Sequence, residues 1–262
     1  MTTKPARIDP TRKTALVAGI LYLITFLASI PAVFLMGPVL TDPNFIISAS
    51  GADTQVSFGA LLDLVTALAG IGTAVALYSV VKRQHEGLAL GFVTTRMFEA
   101  GVIAVGVISV LSVVTLRQPG ATGVEATSLL ITGQALVAVK DWTFIIGPGM
   151  AGMNALMLAT LMYRSRLVPR IIPALGLIGA PIYLSGQIGL ILGINDRVSL
   201  WSAIGLPGIF FWELTLGLWM TFKGFNRSAP LMVAAAAEAG SAEASTTAAR
   251  QQASVAASAG AA

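Results

Sequence analysis

The amino-acid sequence predicts an all-α fold, a polytopic transmembrane helical bundle of six spans, on three observations. Apolar residues make up 55% of the 262 positions. Charged residues make up only 11%, against about 25% in ordinary soluble proteins. Six stretches are long and apolar enough to cross about 30 Å of hydrocarbon, which takes about 20 residues. With a mean hydropathy of +0.82, these features exclude a water-soluble globule and a disordered chain.

The predicted spans follow one another with short connections, at residues 14–36, 56–81, 88–114, 141–163, 171–194 and 200–222. The first span follows a basic segment, so a cleaved signal peptide is the alternative to consider. A signal peptide has an apolar core of about 7–15 residues and a small-residue cleavage site. Residues 14–36 form a longer run without a convincing site, so we interpret them as an uncleaved span.

Basic residues predict the orientation, because cytoplasmic loops are enriched in Lys and Arg. One side of the predicted bundle holds twelve: Lys4, Arg7, Arg12, Lys13, Lys82, Arg83, Arg164, Arg166, Arg170, Lys223, Arg227 and Arg250. The other side holds Arg117, Lys140 and Arg197, while Arg96 falls inside a span. Both termini are therefore predicted to be cytoplasmic. The net charge of +4 reflects this topology and does not indicate nucleic-acid binding, since no basic face interleaved with aromatics is present.

The segments outside the spans differ in character. Residues 1–13 form a cytoplasmic N-terminal segment, and residues 14–226 the six-span domain. Within it, the 37–55 loop carries Asp42 and Asp53, and the 117–140 loop contains a stretch, 125–139, suited to a short helix on the outer surface. Residues 227–262 are rich in Ala and Ser, which is typical of a disordered cytoplasmic tail. A short helix near residues 232–239 is the alternative.

Four ionisable residues fall inside predicted spans: Asp63, Arg96, Glu99 and Glu213. Each costs about 3 kcal/mol at a helix centre unless it is paired or hydrated, so such residues are functional candidates by default. Arg96 and Glu99 are three residues apart on one helix and can meet. We therefore expect Arg96, Glu99 and Glu213 to form one polar cluster near the midplane.

Asp63 shares a helical face with small residues, so it is expected to point into the bundle. With three acids to one base among these four residues, we expect at least one acid to lack a cationic partner. That acid would be protonated, or exposed to water in a cavity.

Two interpretations of the cluster remain open. It is either an ion pair that fixes helix packing, or a proton- or ion-responsive site. The first describes an integral membrane protein of unassigned role, structural or partner-binding. The second describes a transporter or channel for protons or a small solute. An intramembrane enzyme that uses carboxylates is not excluded, and oligomeric state is not predicted.

The composition argues against several kinds of site. The sequence has no cysteine, so it has no disulfide, thiolate nucleophile or Cys-ligated metal. Its one histidine, His85, falls in a predicted cytoplasmic loop, which leaves no histidine pair for haem, no His–Cys set for zinc and no intramembrane Ser–His dyad. No glycine-rich nucleotide motif follows a strand. We therefore predict no catalytic residues, no metal and no cofactor, with the lipid bilayer as the main partner.

Several local patterns resemble those of one family. They are Arg12-Lys13-Thr14-Ala15 with Ala18-Gly19-Ile20-Leu21-Tyr22-Leu23, Arg96-Met97-Phe98-Glu99-Ala100, Tyr163-Arg164-Ser165 with Leu167-Val168-Pro169-Arg170, and Glu213-Leu214 through Leu218-Trp219 to Lys223-Gly224. Together they resemble the bacterial domain-of-unknown-function 4386 family of multi-span membrane proteins, over roughly residues 11–226. The resemblance implies a multi-pass protein of a bacterial plasma membrane. It implies no substrate, because the family brings no known activity.

Overall fold

The protein is an all-helical bundle in a computed structural model that describes residues 10–237, 240–241 and 244–246. Its helices are α1 (Pro10–Leu35), α2 (Gly37–Thr41), α3 (Asp53–Val81), α4 (Glu86–Leu116), α5 (Gly123–Ser165), α6 (Ile171–Ile191) and α7 (Leu200–Phe222). The described residues contain no strand. By length and composition, all of these helices except α2 are able to cross a membrane. The predicted fold class of six apolar spans is confirmed.

The six long helices form a closed ring in the order α1, α3, α4, α5, α6 and α7, and α7 packs back against α1. One end of the ring, here called the terminal face, holds the start of α1, the α3–α4 and α5–α6 connections and the end of α7. The opposite end, the loop face, holds α2 and the α4–α5 and α6–α7 connections. The ring encloses a space that every long helix borders.

Glycines allow the closest approaches within this ring. A Cβ on Gly208 of α7 would lie 2.6 Å from the Cα of Gly179 on α6. A Cβ on Gly19 of α1 would lie 2.5 Å from Oγ1 of Thr221 on α7. Small residues at such contacts bring helix backbones together, which is how apolar helices associate without a hydrophobic driving force. These two contacts join α7 to both of its neighbours.

Helix α5 differs from the prediction of a loop at 117–140, a surface helix at 125–139 and a separate span at 141–163. It is one helix of 43 residues, about 64 Å long at 1.5 Å per residue. Its N-terminal part packs through Leu129, Leu130 and Leu136 against an apolar cluster formed by α1 to α4 and the segment between α2 and α3, which keeps these turns helical. The important consequence is that Lys140, predicted in an outer loop, lies inside the bundle with 4% of its surface exposed.

The loop face is organised around Arg117, which immediately follows α4. Its Nε donates to the carbonyl of Phe45 at 2.9 Å, and its guanidinium pairs with Asp53 at the start of α3. The backbone amide of Gln118 also donates to the carbonyl of Ile46, at 2.9 Å. The two long predicted outer loops are thus joined to each other.

At the terminal face, Arg12 of α1 donates to the carbonyls of Met220 and Thr221, at 3.0 and 2.7 Å. It satisfies carbonyls that the end of α7 leaves without intrahelical partners. The predicted N-terminal segment falls mostly on residues 1–9, which lie outside the described residues.

The first part of the predicted disordered tail is helical, over residues 230–237. Ala229 is 2% exposed, and Leu231 and Met232 pack against the main apolar cluster. The amide of Asn226 donates to the carbonyl of Leu167 at 2.8 Å, which ties this segment to the α5–α6 connection. Alanine favours helix, and two larger apolar side chains provide a face to bury. Most of the remaining tail lies outside the described residues.

Candidate functional site

Arg96 of α4 joins two carboxylates from different helices. Its Nη1 donates to Oε2 of Glu99, one turn further along the same helix, at 2.9 Å. Its Nη2 forms an ion pair with Oε1 of Glu213 on α7 and lies 3.4 Å from the hydroxyl of Tyr22 on α1. The Arg96 side chain is 5% exposed. The structure therefore brings Arg96, Glu99 and Glu213 together, with Arg96 as the shared cation.

The local helix geometry explains how these side chains meet. The spacing of three residues places Arg96 and Glu99 on one face of α4. Gly70 of α3 faces the guanidinium, since a Cβ at that position would lie 3.9 Å from Nη1 of Arg96. Tyr22 contributes its ring as well as its hydroxyl, with the guanidinium carbon 5.5 Å from the ring centroid. This aromatic contact stabilises a cation that is out of reach of bulk water.

Asn154 of α5 extends the cluster and was not predicted from the sequence. Its Nδ2 donates to Oε2 of Glu99 at 2.7 Å, and its Oδ1 accepts from the hydroxyl of Thr95 at 2.5 Å. Asn154 is 1% exposed. One signal in the sequence could have identified Asn154: its amide lies in a stretch of small and apolar residues, where a polar group without a partner is costly.

Asp63 belongs to a second ion pair and makes no hydrogen bond to Arg96. Its Oδ2 accepts from Nζ of Lys140 on α5 at 2.5 Å, with side-chain exposures of 14% for Asp63 and 5% for Lys140. The predicted ratio of three acids to one base in the spans is therefore corrected to three acids and two bases. The difference arises because the sequence pattern predicts a loop at Lys140, whereas α5 begins at Gly123 and includes this lysine.

A cavity of about 390 Å³ adjoins both groups of charges. Its lining includes Asp63, Arg96, Glu99, Lys140 and Glu213, together with apolar and aromatic side chains from α1, α5, α6 and α7. The glutamates keep 12% and 14% of their side-chain surfaces exposed. The cluster around Arg96 and the pair of Lys140 and Asp63 thus border one cavity at the centre of the ring.

The described part of the chain contains no group of three His, Cys, Asp or Glu residues placed to hold a metal ion. His85 lies at the terminal face, where its Nδ1 accepts from the backbone amide of Leu88 at 3.2 Å and caps the start of α4. The site is therefore a set of ion pairs beside a cavity, with the Asn154 amide behind one of the carboxylates. These groups can bind a charged or polar solute, and an ion pair can open so that one of its members pairs with the solute instead.

Comparisons with known proteins identify a family. No curated protein and no solved structure matches the chain significantly. A family profile described as "Domain of unknown function (DUF4386)" matches residues 17–224. That range contains the six apolar helices almost completely, together with all five charged residues of the cavity. The chain therefore belongs to the DUF4386 family, and its six apolar helices fit an integral membrane protein.

Proposed function

We propose that this protein is a small-solute transporter of a bacterial plasma membrane. The cavity at the centre of the helix ring, lined by two sets of buried charges, is the observation that carries the proposal. Its volume of about 390 Å³ falls within the roughly 300–1,000 Å³ of small-ligand pockets. A solute bound there lies between the two faces of the bundle, as it does in many transporters.

The arrangement of charges favours a binding site over a purely structural ion pair. A structural pair is most stable when all of its lone pairs and protons are satisfied and neighbours pack tightly around it. Here the glutamates retain exposed surface beside a space large enough for several water molecules. A solute that enters can therefore contact these carboxylates without first unfolding any packed contact.

The charge distribution supports an orientation with both termini in the cytoplasm. The terminal face carries most of the basic residues, including Arg12, Arg83 and Arg170. Because Lys140 is inside the bundle, the connections at the loop face retain only Arg117 and Arg197. This asymmetry is larger than the sequence alone indicated, and basic residues mark cytoplasmic loops.

Substituted-cysteine labelling tests the proposal, since the natural chain contains no cysteine. Ala100→Cys reports on the cavity, which Ala100 lines. Gly101→Cys is its matched control, because Gly101 is exposed on the same helix and a Cβ there meets nothing within 4 Å. Val198→Cys reports on the loop face, where Val198 is 99% exposed, and Gly87→Cys reports on the terminal face.

A membrane-impermeant thiol reagent is applied to intact cells and to inverted vesicles. We expect Val198→Cys to react in cells, Gly87→Cys in inverted vesicles and Gly101→Cys in neither. A transporter exposes its central site to both sides in turn, so Ala100→Cys should react in both preparations. Reaction from one side only, or from neither, contradicts transport. Reaction of Val198→Cys only in inverted vesicles contradicts the proposed orientation.

A further inference from the structure

The cavity has an apolar mouth between α1 and α7, on the side nearer the loop face. Towards the terminal face these helices are in close contact at Gly19 and Thr221, and further along them Phe26 and Phe210 form an edge-to-face pair with ring centroids 5.2 Å apart. Beyond that pair, Ile30 of α1 and Leu206 of α7 line the cavity and are still 47% and 57% exposed. Side chains that border a cavity and also reach the outer surface mark its opening.

This mouth lies at the depth of the lipid chains. The first span covers Thr11–Leu35, so Ile30 is about 10 Å from its middle at 1.5 Å per residue. Leu206 is about 8 Å from the middle of α7 on the same estimate. Both values are smaller than the half-thickness of the hydrocarbon layer, which is about 15 Å. A molecule that passes between α1 and α7 therefore enters from the bilayer and not from water.

The interior of the cavity carries an excess of negative charge. Among the described side chains that line it, three carboxylates face two cations when all are ionised. Within that part of the chain, Arg96 is the only hydrogen-bond donor to Glu213, although a carboxylate accepts about four hydrogen bonds. Glu213 therefore has spare acceptor capacity. Phe210 precedes it by three residues on the same face of α7, and aromatic rings attract ammonium groups.

We propose that the cavity binds an amphiphilic organic cation, a substrate class that rests on the proposed transport function. Its ammonium group lies beside Glu213 and Glu99, near the rings of Phe26 and Phe210. Its apolar chain passes out through the mouth beside Leu206. Seven residues of helix separate Leu206 from Glu213, which is about 10 Å, so the ligand needs an apolar part of at least that length. A small hydrophilic cation can reach the carboxylates but lacks the apolar part that the mouth would hold, so it should bind weakly, and an anion is repelled by the excess of carboxylates.

Protection of Ala100→Cys from a cationic thiol reagent tests this proposal in membranes that contain the full chain. The probes are decyltrimethylammonium, the equally long anion decyl sulfate, and tetramethylammonium, which has the headgroup without the chain. We expect decyltrimethylammonium to protect the cysteine at concentrations where the other two have no effect. Glu213→Gln in the same background should raise the half-protecting concentration by about tenfold or more, since the neutral amide loses the Coulombic attraction to the ammonium charge in a site that is largely shielded from bulk water.

Glu125→Gln serves as the matched control, because Glu125 is an exposed acid in the first turn of α5. It should leave the half-protecting concentration unchanged. Equal protection by decyl sulfate or by tetramethylammonium overturns the proposed substrate class, and so does the absence of protection. If Ala100→Cys still reacts from both sides of the membrane in those cases, the transport proposal stands while the substrate class fails. If it reacts from neither side, both fail.

Discussion

Lys140→Met should destabilise the protein by about 3 kcal/mol, because it leaves a buried carboxylate without its counter-charge. Nζ of Lys140 lies 2.5 Å from Oδ2 of Asp63, and the lysine side chain is 5% exposed. Breaking a buried pair by removing one partner costs about 3–5 kcal/mol. The lower end applies here, because Asp63 keeps 14% of its side chain exposed towards the cavity and water can reach it.

A double-mutant cycle isolates this contact from the general effect of changing a side chain in the bundle. Asp63→Leu combined with Lys140→Met should recover part of the loss, with a coupling energy of about 1–3 kcal/mol for residues in contact. The matched control is the neighbouring pair of Asp141 and Arg197, whose atoms are 3.0 Å apart but whose side chains are 45% and 46% exposed. Arg197→Met should therefore cost less than about 1 kcal/mol.

The free energy of unfolding is measured by titrating detergent-solubilised protein with a denaturing detergent and following helical ellipticity. A coupling energy near zero for Asp63 and Lys140 would refute the reasoning. This result would mean that Lys140 lies in an outer loop, as the sequence pattern predicts, and that the ion pair of Lys140 and Asp63 does not border the cavity.

Three further predictions concern the surroundings of the site. Asn154→Leu should cost about 2 kcal/mol of unfolding free energy, because Glu99 loses a charge-assisted hydrogen bond; an unchanged value in the same detergent titration contradicts that bond. Truncation after residue 226 should lower the melting temperature in detergent below that of the full chain, by removing the packing of Leu231 and Met232; equal melting temperatures contradict the docked helix. Gly208→Val should destabilise the bundle by about 3 kcal/mol, since the introduced valine side chain would overlap the backbone of α6 at Gly179. Unchanged stability would show that α6 and α7 are not in close contact at Gly208.

The spans themselves could be predicted because a membrane helix is specified by local hydropathy. The predicted 200–222 coincides with α7, and the predicted 56–81 ends where α3 ends. The cluster of Arg96 with two glutamates was also within reach of sequence reasoning. The cost of burying each charge alone requires partners, and no other base fell inside a predicted span.

The second ion pair could not be predicted, because it depends on where α5 begins. A lysine next to Asp141 and Trp142 interrupts the apolar run, and hydropathy alone does not distinguish a span boundary from a buried, paired cation. Only the packing of Leu129 and Leu136 against the bundle shows that the helix continues through this point. The cavity could not be predicted either, since it results from the ring order of the helices and not from any local sequence pattern.

The labelling rate of Ala100→Cys with two thiol reagents of opposite charge tests most directly the claim that an acidic, solute-accessible cavity lies at the centre of this bundle. The cavity has one carboxylate in excess, and a cleft of one sign raises the local concentration of the opposite ion about tenfold or more. We predict that a trimethylammonium reagent reacts about tenfold faster than the corresponding sulfonate, after each rate is normalised to Val198→Cys. Equal rates, or a faster sulfonate, would contradict the negative cavity. No reaction with either reagent would contradict the cavity itself.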